Sequence, residues 1–122
     1  MIALVALGGG LGAMARYGVD LMLGGRLTAR GLPGWALALI NISGSLLIGF
    51  LAGLVARGAL APQLHTVLAT GFLGGYTTFS AASLDVVETA ERGGRAAGMR
   101  RALGVPVAAV AACAIGLFLS AA

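Results

Sequence analysis

The chain has 122 residues, of which 59 % are hydrophobic and only 10 % charged. Its mean hydropathy is +0.99. Soluble domains carry about 25 % charged residues, so this composition excludes an ordinary soluble protein and, being so apolar, a disordered one. The net charge of +4 comes from eight arginines and four carboxylates. Most of the arginines stand at the ends of apolar runs, which is a pattern of membrane anchoring and not of a nucleic-acid-binding stripe.

The length allows a single domain, residues 1–122. At about 20 residues per membrane-crossing helix, four helices take up most of the chain. The first apolar stretch covers about 2–23 and contains Arg16; it has no basic leader region and reads as a retained span. A connection with Gly24, Gly25, Arg26, Arg30 and Pro33 follows. The second span, about 34–56, carries no charge and opens on Trp35, a residue suited to the lipid–water interface. A short link with Arg57 and Gly58 leads to the third stretch, about 62–88, whose Pro62 suits a first helical turn and whose His65 suits the interface. A polar loop, Glu91 to Arg95, separates it from the fourth span, about 101–121, which contains the single cysteine, Cys113. Cys113 reads as a small buried hydrophobe. The runs are too long and too uniformly apolar for strands, and a chain in lipid must satisfy its backbone internally. The predicted class is therefore an all-α membrane protein with four transmembrane helices.

Glycine is abundant, with 21 residues. Gly8 and Gly12, and Gly49 and Gly53, are spaced four apart, as at close contacts between membrane helices. Such spacing serves packing within a protomer or contact between two; a bundle this small is expected to dimerise. Six arginines (Arg26, Arg30, Arg92, Arg95, Arg100, Arg101) fall on the two connections of one side, against Arg57 alone on the other. The positive-inside rule then places both termini outside and fixes one orientation.

The third span is anomalous. It contains Gly71-Phe72-Leu73-Gly74-Gly75-Tyr76-Thr77-Thr78-Phe79-Ser80. Three glycines and two threonines weaken a helix. If it opens, carbonyls and N–H groups are freed in mid-membrane and need an ion or a wet cavity; carbonyls and threonine hydroxyls suit a hard cation such as Na⁺. If it stays intact, the small residues form a packing face and the hydroxyls bond the preceding turn. Asn41, with Ser43 and Ser45 nearby, needs a partner in lipid: an interhelical hydrogen bond, or an anion facing its amide. An anion path through these spans would depend on neutral donors and on the positive edges of aromatic rings. Arg16 lies about seven residues from the end of its span, roughly 10 Å. It reaches the interface, lines a wet vestibule, or pairs with a carboxylate. Asp85 and Glu88 share a helical face near the end of the third span. One histidine, one cysteine and four carboxylates give no enzyme constellation.

Three segments, GGGLGAMARYG in the first span, NISGS in the second and GFLGGYTTFS in the third, carry a resemblance. The chain resembles the bacterial fluoride channel family, Fluc or CrcB, over most of its length. The resemblance implies four-helix subunits in antiparallel dimers, passive and selective fluoride conduction across the cell inner membrane or plasma membrane, and a structural Na⁺ at the dimer interface. Carried onto this sequence, it implies Na⁺ held by the carbonyls of Gly74 and Thr77. Asn41, Thr78, Phe79 and Ser80 fall on the fluoride path, and Arg16 and Asp85 take vestibule or structural places. The chain departs from the family pattern at Ala82, where a second phenylalanine is usual, at Asp85, where glutamate is usual, and in its fourth span, which has no hydroxyl ladder from Val105 to Leu119. The fixed orientation and this depleted lining together point to a partner: a paralogous subunit of opposite orientation in a heterodimer, with a homodimer as the alternative. A non-conducting partner subunit is a further reading. A small multidrug transporter is disfavoured, because Gly8 to Ala15 contains no carboxylate.

Overall fold

The computed structural model describes all residues, Met1–Ala122, and its regular elements are all helices. In chain order the elements are α1 (Ile2–Ala29), α2 (Trp35–Ala56), the short α3 (Pro62–His65), a π-helical segment (Thr66–Leu73), α4 (Gly74–Tyr76), α5 (Phe79–Gly93) and α6 (Arg95–Ala121). Three of them, α1, α2 and α6, are long and apolar enough to cross a membrane.

The helices overrun the apolar stretches. The residues from Gly24 to Ala29, expected in a connection, continue α1, because Arg26, Leu27 and Ala29 favour helix. The helix stops where Gly31 takes a left-handed φ of 76° and the Leu32 N–H turns back to the Leu27 carbonyl at 2.7 Å. Likewise, the expected loop from Glu91 to Arg95 shrinks to one residue. Gly94, at φ 91°, is the only break between α5 and α6.

The third apolar stretch is broken. Through Tyr76 the backbone is helical; Thr77 (φ −84°, ψ 157°) and Thr78 (φ −151°, ψ 130°) are extended; Phe79 starts a new helix. The intact-helix alternative is therefore set aside. Ahead of the break, the eight-residue π segment widens the helix, an irregularity that recurs at functional sites and that no sequence signal announced.

Small residues set the packing. α1 lies against the π segment and α4, while α2 and α5 both lie against α6. A methyl on Gly12 would overlap the Phe72 carbonyl, and one on Gly49 would overlap the Cys113 carbonyl. A methyl on Gly53 would likewise overlap Ser120, and one on Gly8 would press less tightly on the backbone of Phe72 and Val67. Both glycine pairs thus act within the protomer, and Cys113 is half-buried, contributing its backbone to the α2 contact. The core is thin: Ala36, Ala38, Ile40, Leu73 and Ala112 are its buried apolar residues. Large apolar side chains such as Leu7, Leu11, Val107 and Phe118 point outward, as suits a surface meeting lipid or another subunit and not water.

Candidate functional site

The break is held by α2. Asn41 donates from Nδ2 to the Thr78 carbonyl (3.0 Å) and accepts the Thr78 N–H at Oδ1 (2.9 Å). One amide thus satisfies both polar groups of an extended residue that has no helical partner, which is what a planar donor–acceptor pair does well. Two residues on, Ser43 meets the Tyr76 hydroxyl at 3.3 Å and donates to the Ile40 carbonyl at 3.0 Å. Gly44 leaves room for the Thr77 methyl. The segment from Asn41 to Gly44 therefore clasps both sides of the break. Asn41 makes the interhelical hydrogen bonds that were one of its two readings. It also lines the adjoining groove.

The two threonines end one helix and begin the next. Thr77 donates its N–H and its hydroxyl to the Leu73 carbonyl, each at 2.9 Å. Thr78 caps α5 by accepting the Ala81 N–H (3.4 Å), and its hydroxyl lies 3.3 Å from that of Ser80. The Thr78 N–H, which would bond the Gly74 carbonyl in a continuous helix, is taken by Asn41, and the Thr77 carbonyl accepts no backbone hydrogen bond. Gly74 and Thr77 thus present free carbonyl oxygens at a helix C-terminus, a donor set suited to a hard cation. On the other side, the N–H groups opening α5 give the positive end of a helix dipole.

A groove of about 670 Å³ runs from the break between α2, α5 and α6. Asn41, Thr77, Thr78 and Phe79 line one end, and Asp85 and Arg101 the other. Ala82 and Ser83 also line the groove, and Ala82 brings no ring to it. Phe79 is 85 % exposed, so nothing in the protomer covers its ring. Ser80 is also exposed and is not part of the lining. Opposite, Pro106 within α6 supplies no N–H, which frees the Ala102 carbonyl; both residues line the groove.

Arg16 lies near the middle of α1, since the helix runs on to Ala29, and is half-buried with no ion pair in the protomer. The carboxylate-pairing option for it is thereby removed within one chain. Asp85 does have a cationic partner, one that spacing did not reveal: Arg101, whose Nη1 lies 2.8 Å from Oδ2. Arg101 also donates to the Pro33 carbonyl (3.4 Å), and its guanidinium sits 4.7 Å over the Trp35 ring. Trp35, expected only at an interface, is thus part of this cluster. Glu88 pairs with Arg92 at the surface instead.

The sequence matches the model of the family described as CrcB-like protein, Camphor Resistance (CrcB), over residues 3–117. This chain belongs to the CrcB family. Among its relatives, a protein named fluoride-specific ion channel FluC from Paracoccus denitrificans is 49 % identical over 116 residues, covering 93 % of this chain and 88 % of its own. One named fluoride-specific ion channel FluC 1 from Symbiobacterium thermophilum is 45 % identical over 111 residues, 89 % of each chain. Another of that name from Leifsonia xyli is 37 % identical over 121 residues, 98 % of this chain and 85 % of its own. The CrcB family is one of ion channels and not of enzymes, in line with the missing enzyme constellation.

Proposed function

We propose that this chain is one subunit of a fluoride-specific ion channel, which lets fluoride leave the cell passively and so lowers its cytoplasmic concentration. The observation that carries the reading is the Asn41-clasped break opening on a groove with Phe79 at its mouth. The lining there has neutral donors, the Phe79 ring and helix-dipole N–H groups. These attract a small anion without trapping it, as conduction requires. The names of the 37–50 % identical relatives support fluoride as that anion. Acid outside the cell drives HF inward, where it loses its proton, and a passive path returns the anion.

The protein is multi-pass. The broken stretch from Pro62 to Gly93 forms the fourth crossing, beside α1, α2 and α6. An exposed Phe79 and an open groove support closure by a second subunit in an antiparallel dimer. The carbonyls of Gly74 and Thr77 suit a structural Na⁺ at that contact, which would neutralise the helix C-terminus. The residues themselves orient the break whether or not the ion is bound.

The Arg101 bond to Pro33 draws the two arginine-bearing connections to one end. This supports a single orientation in the cell membrane, with both termini outside and a paralogous partner inserted the other way. A second reading, a partner that does not itself conduct, is supported by Ala82, which leaves the groove without a second ring.

The test is growth on fluoride of bacteria that lack their own fluoride channels. Cells expressing this chain with its partner subunit should regain resistance, and cells expressing Asn41→Leu should not. Equal sensitivity with and without the wild-type pair would refute the proposal.

A further inference from the structure

Asp85 and Arg101 are the only charged residues lining the groove. Their side chains are 9 % and 11 % exposed. Arg101 is fixed from three directions: the Asp85 carboxylate, the Pro33 carbonyl and the face of Trp35. Asp85 has one hydrogen-bonding partner, Arg101, and its other oxygen lies against the Gly34 backbone, where a methyl would overlap it. Gly34 is at φ 81°, a conformation that removes any side chain from that wall.

An anion passing a bare carboxylate in a groove walled largely by apolar atoms meets repulsion over several ångströms. A bare guanidinium in the same place would hold the anion and slow its exit. The observed pair does neither.

We infer that Arg101 is the charge-compensating residue of the fluoride path: it neutralises Asp85 and so makes this end of the groove passable to an anion. This rests on the channel reading above and assigns a positioning role to a residue that its sequence context marks only as a topology signal. Arg101 acts through Asp85, and the two charges matter as a sum.

The experiment is fluoride efflux from liposomes holding the conducting subunit combination, with the half-saturating fluoride concentration measured for wild type, Arg101→Met, Asp85→Asn and the double variant. Arg101→Met should cut efflux at least about tenfold and raise the half-saturating concentration. Asp85→Asn, which keeps a hydrogen bond to Arg101, should lower that concentration. The double variant should recover efflux to within about threefold of wild type, a rescue expected of two cancelling charges. A purely structural pair would shift both single variants the same way, and the double variant would stay as impaired as Arg101→Met. Either result overturns the inference. If Arg101→Met does not fold, the Asp85→Asn shift decides alone, and no shift refutes it. If wild type passes no fluoride while eluting as folded protein, the channel reading itself fails, and this inference with it.

Discussion

Replacing Asn41 with Leu removes both hydrogen bonds to Thr78, at 3.0 and 2.9 Å, while keeping the side-chain volume. The Thr78 N–H and carbonyl are part-buried and have no other backbone partner. An unpaired buried polar group costs about 1–3 kcal/mol, so the two together cost about 2–6 kcal/mol, less what a penetrating water returns. That is a large share of the stability of a small bundle. Asn41→Asp separates the two bonds. Its carboxylate still accepts the Thr78 N–H, cannot donate to the Thr78 carbonyl, and adds a negative charge to the groove. The expected order of thermal midpoint in detergent is wild type, then Asp, then Leu, and both variants should lose fluoride efflux. A Leu variant with an unchanged midpoint and normal efflux would refute the view that Asn41 clasps the break.

Other outcomes follow from the same geometry. Gly12→Ala should destabilise by about 1–3 kcal/mol through overpacking against the Phe72 carbonyl. Gly10→Ala, with nothing within 4 Å, should change stability by less than about 0.5 kcal/mol in the same melting assay. Phe79→Ala should leave the melting midpoint of the protomer unchanged, since its ring is 85 % exposed, yet slow fluoride efflux about three- to tenfold. A reporter fused to Ala122 should be reached by impermeant reagents from outside the cell only; labelling from both sides would contradict a fixed orientation.

Several features were legible in the residues. The charge-free run from Gly34 to Ala56 gave α2 to within a residue, because composition alone separates a lipid-compatible helix from a loop. The glycines and threonines from Gly71 to Thr78 marked the break, since their weakness as helix formers is local. Asn41 stands out as an amide in an otherwise charge-free span, which needs a partner in lipid. Other features depend on distance. Arg101 reads as one more arginine at a span end, and only folding brings it to Asp85, 16 residues away, and to Pro33, 68 residues away. The end of α1 and the start of α6 lie outside the apolar runs because lipid-compatible and helical are different properties: Gly24 to Ala29 and Arg95 to Arg100 carry arginines and glycines yet are helical. The π segment had no signal of its own, being built of residues that an α-helix also accepts. Pro106 carries a signal in the sequence itself: a proline inside an apolar helix leaves the carbonyl four residues earlier without its usual donor, and here Pro106 and Ala102 both line the groove.

The most direct measurement of the central claim is ion efflux from liposomes, read by fluoride and chloride electrodes. It is run with this chain alone and with the chain reconstituted beside its paralogous subunit. The paired subunits should show fluoride efflux with no matching chloride efflux, and this chain alone should show none. Fluoride efflux from this chain alone would contradict the requirement for an oppositely oriented partner. No fluoride efflux from either preparation of folded protein, or equal efflux of chloride, would contradict the fluoride channel itself.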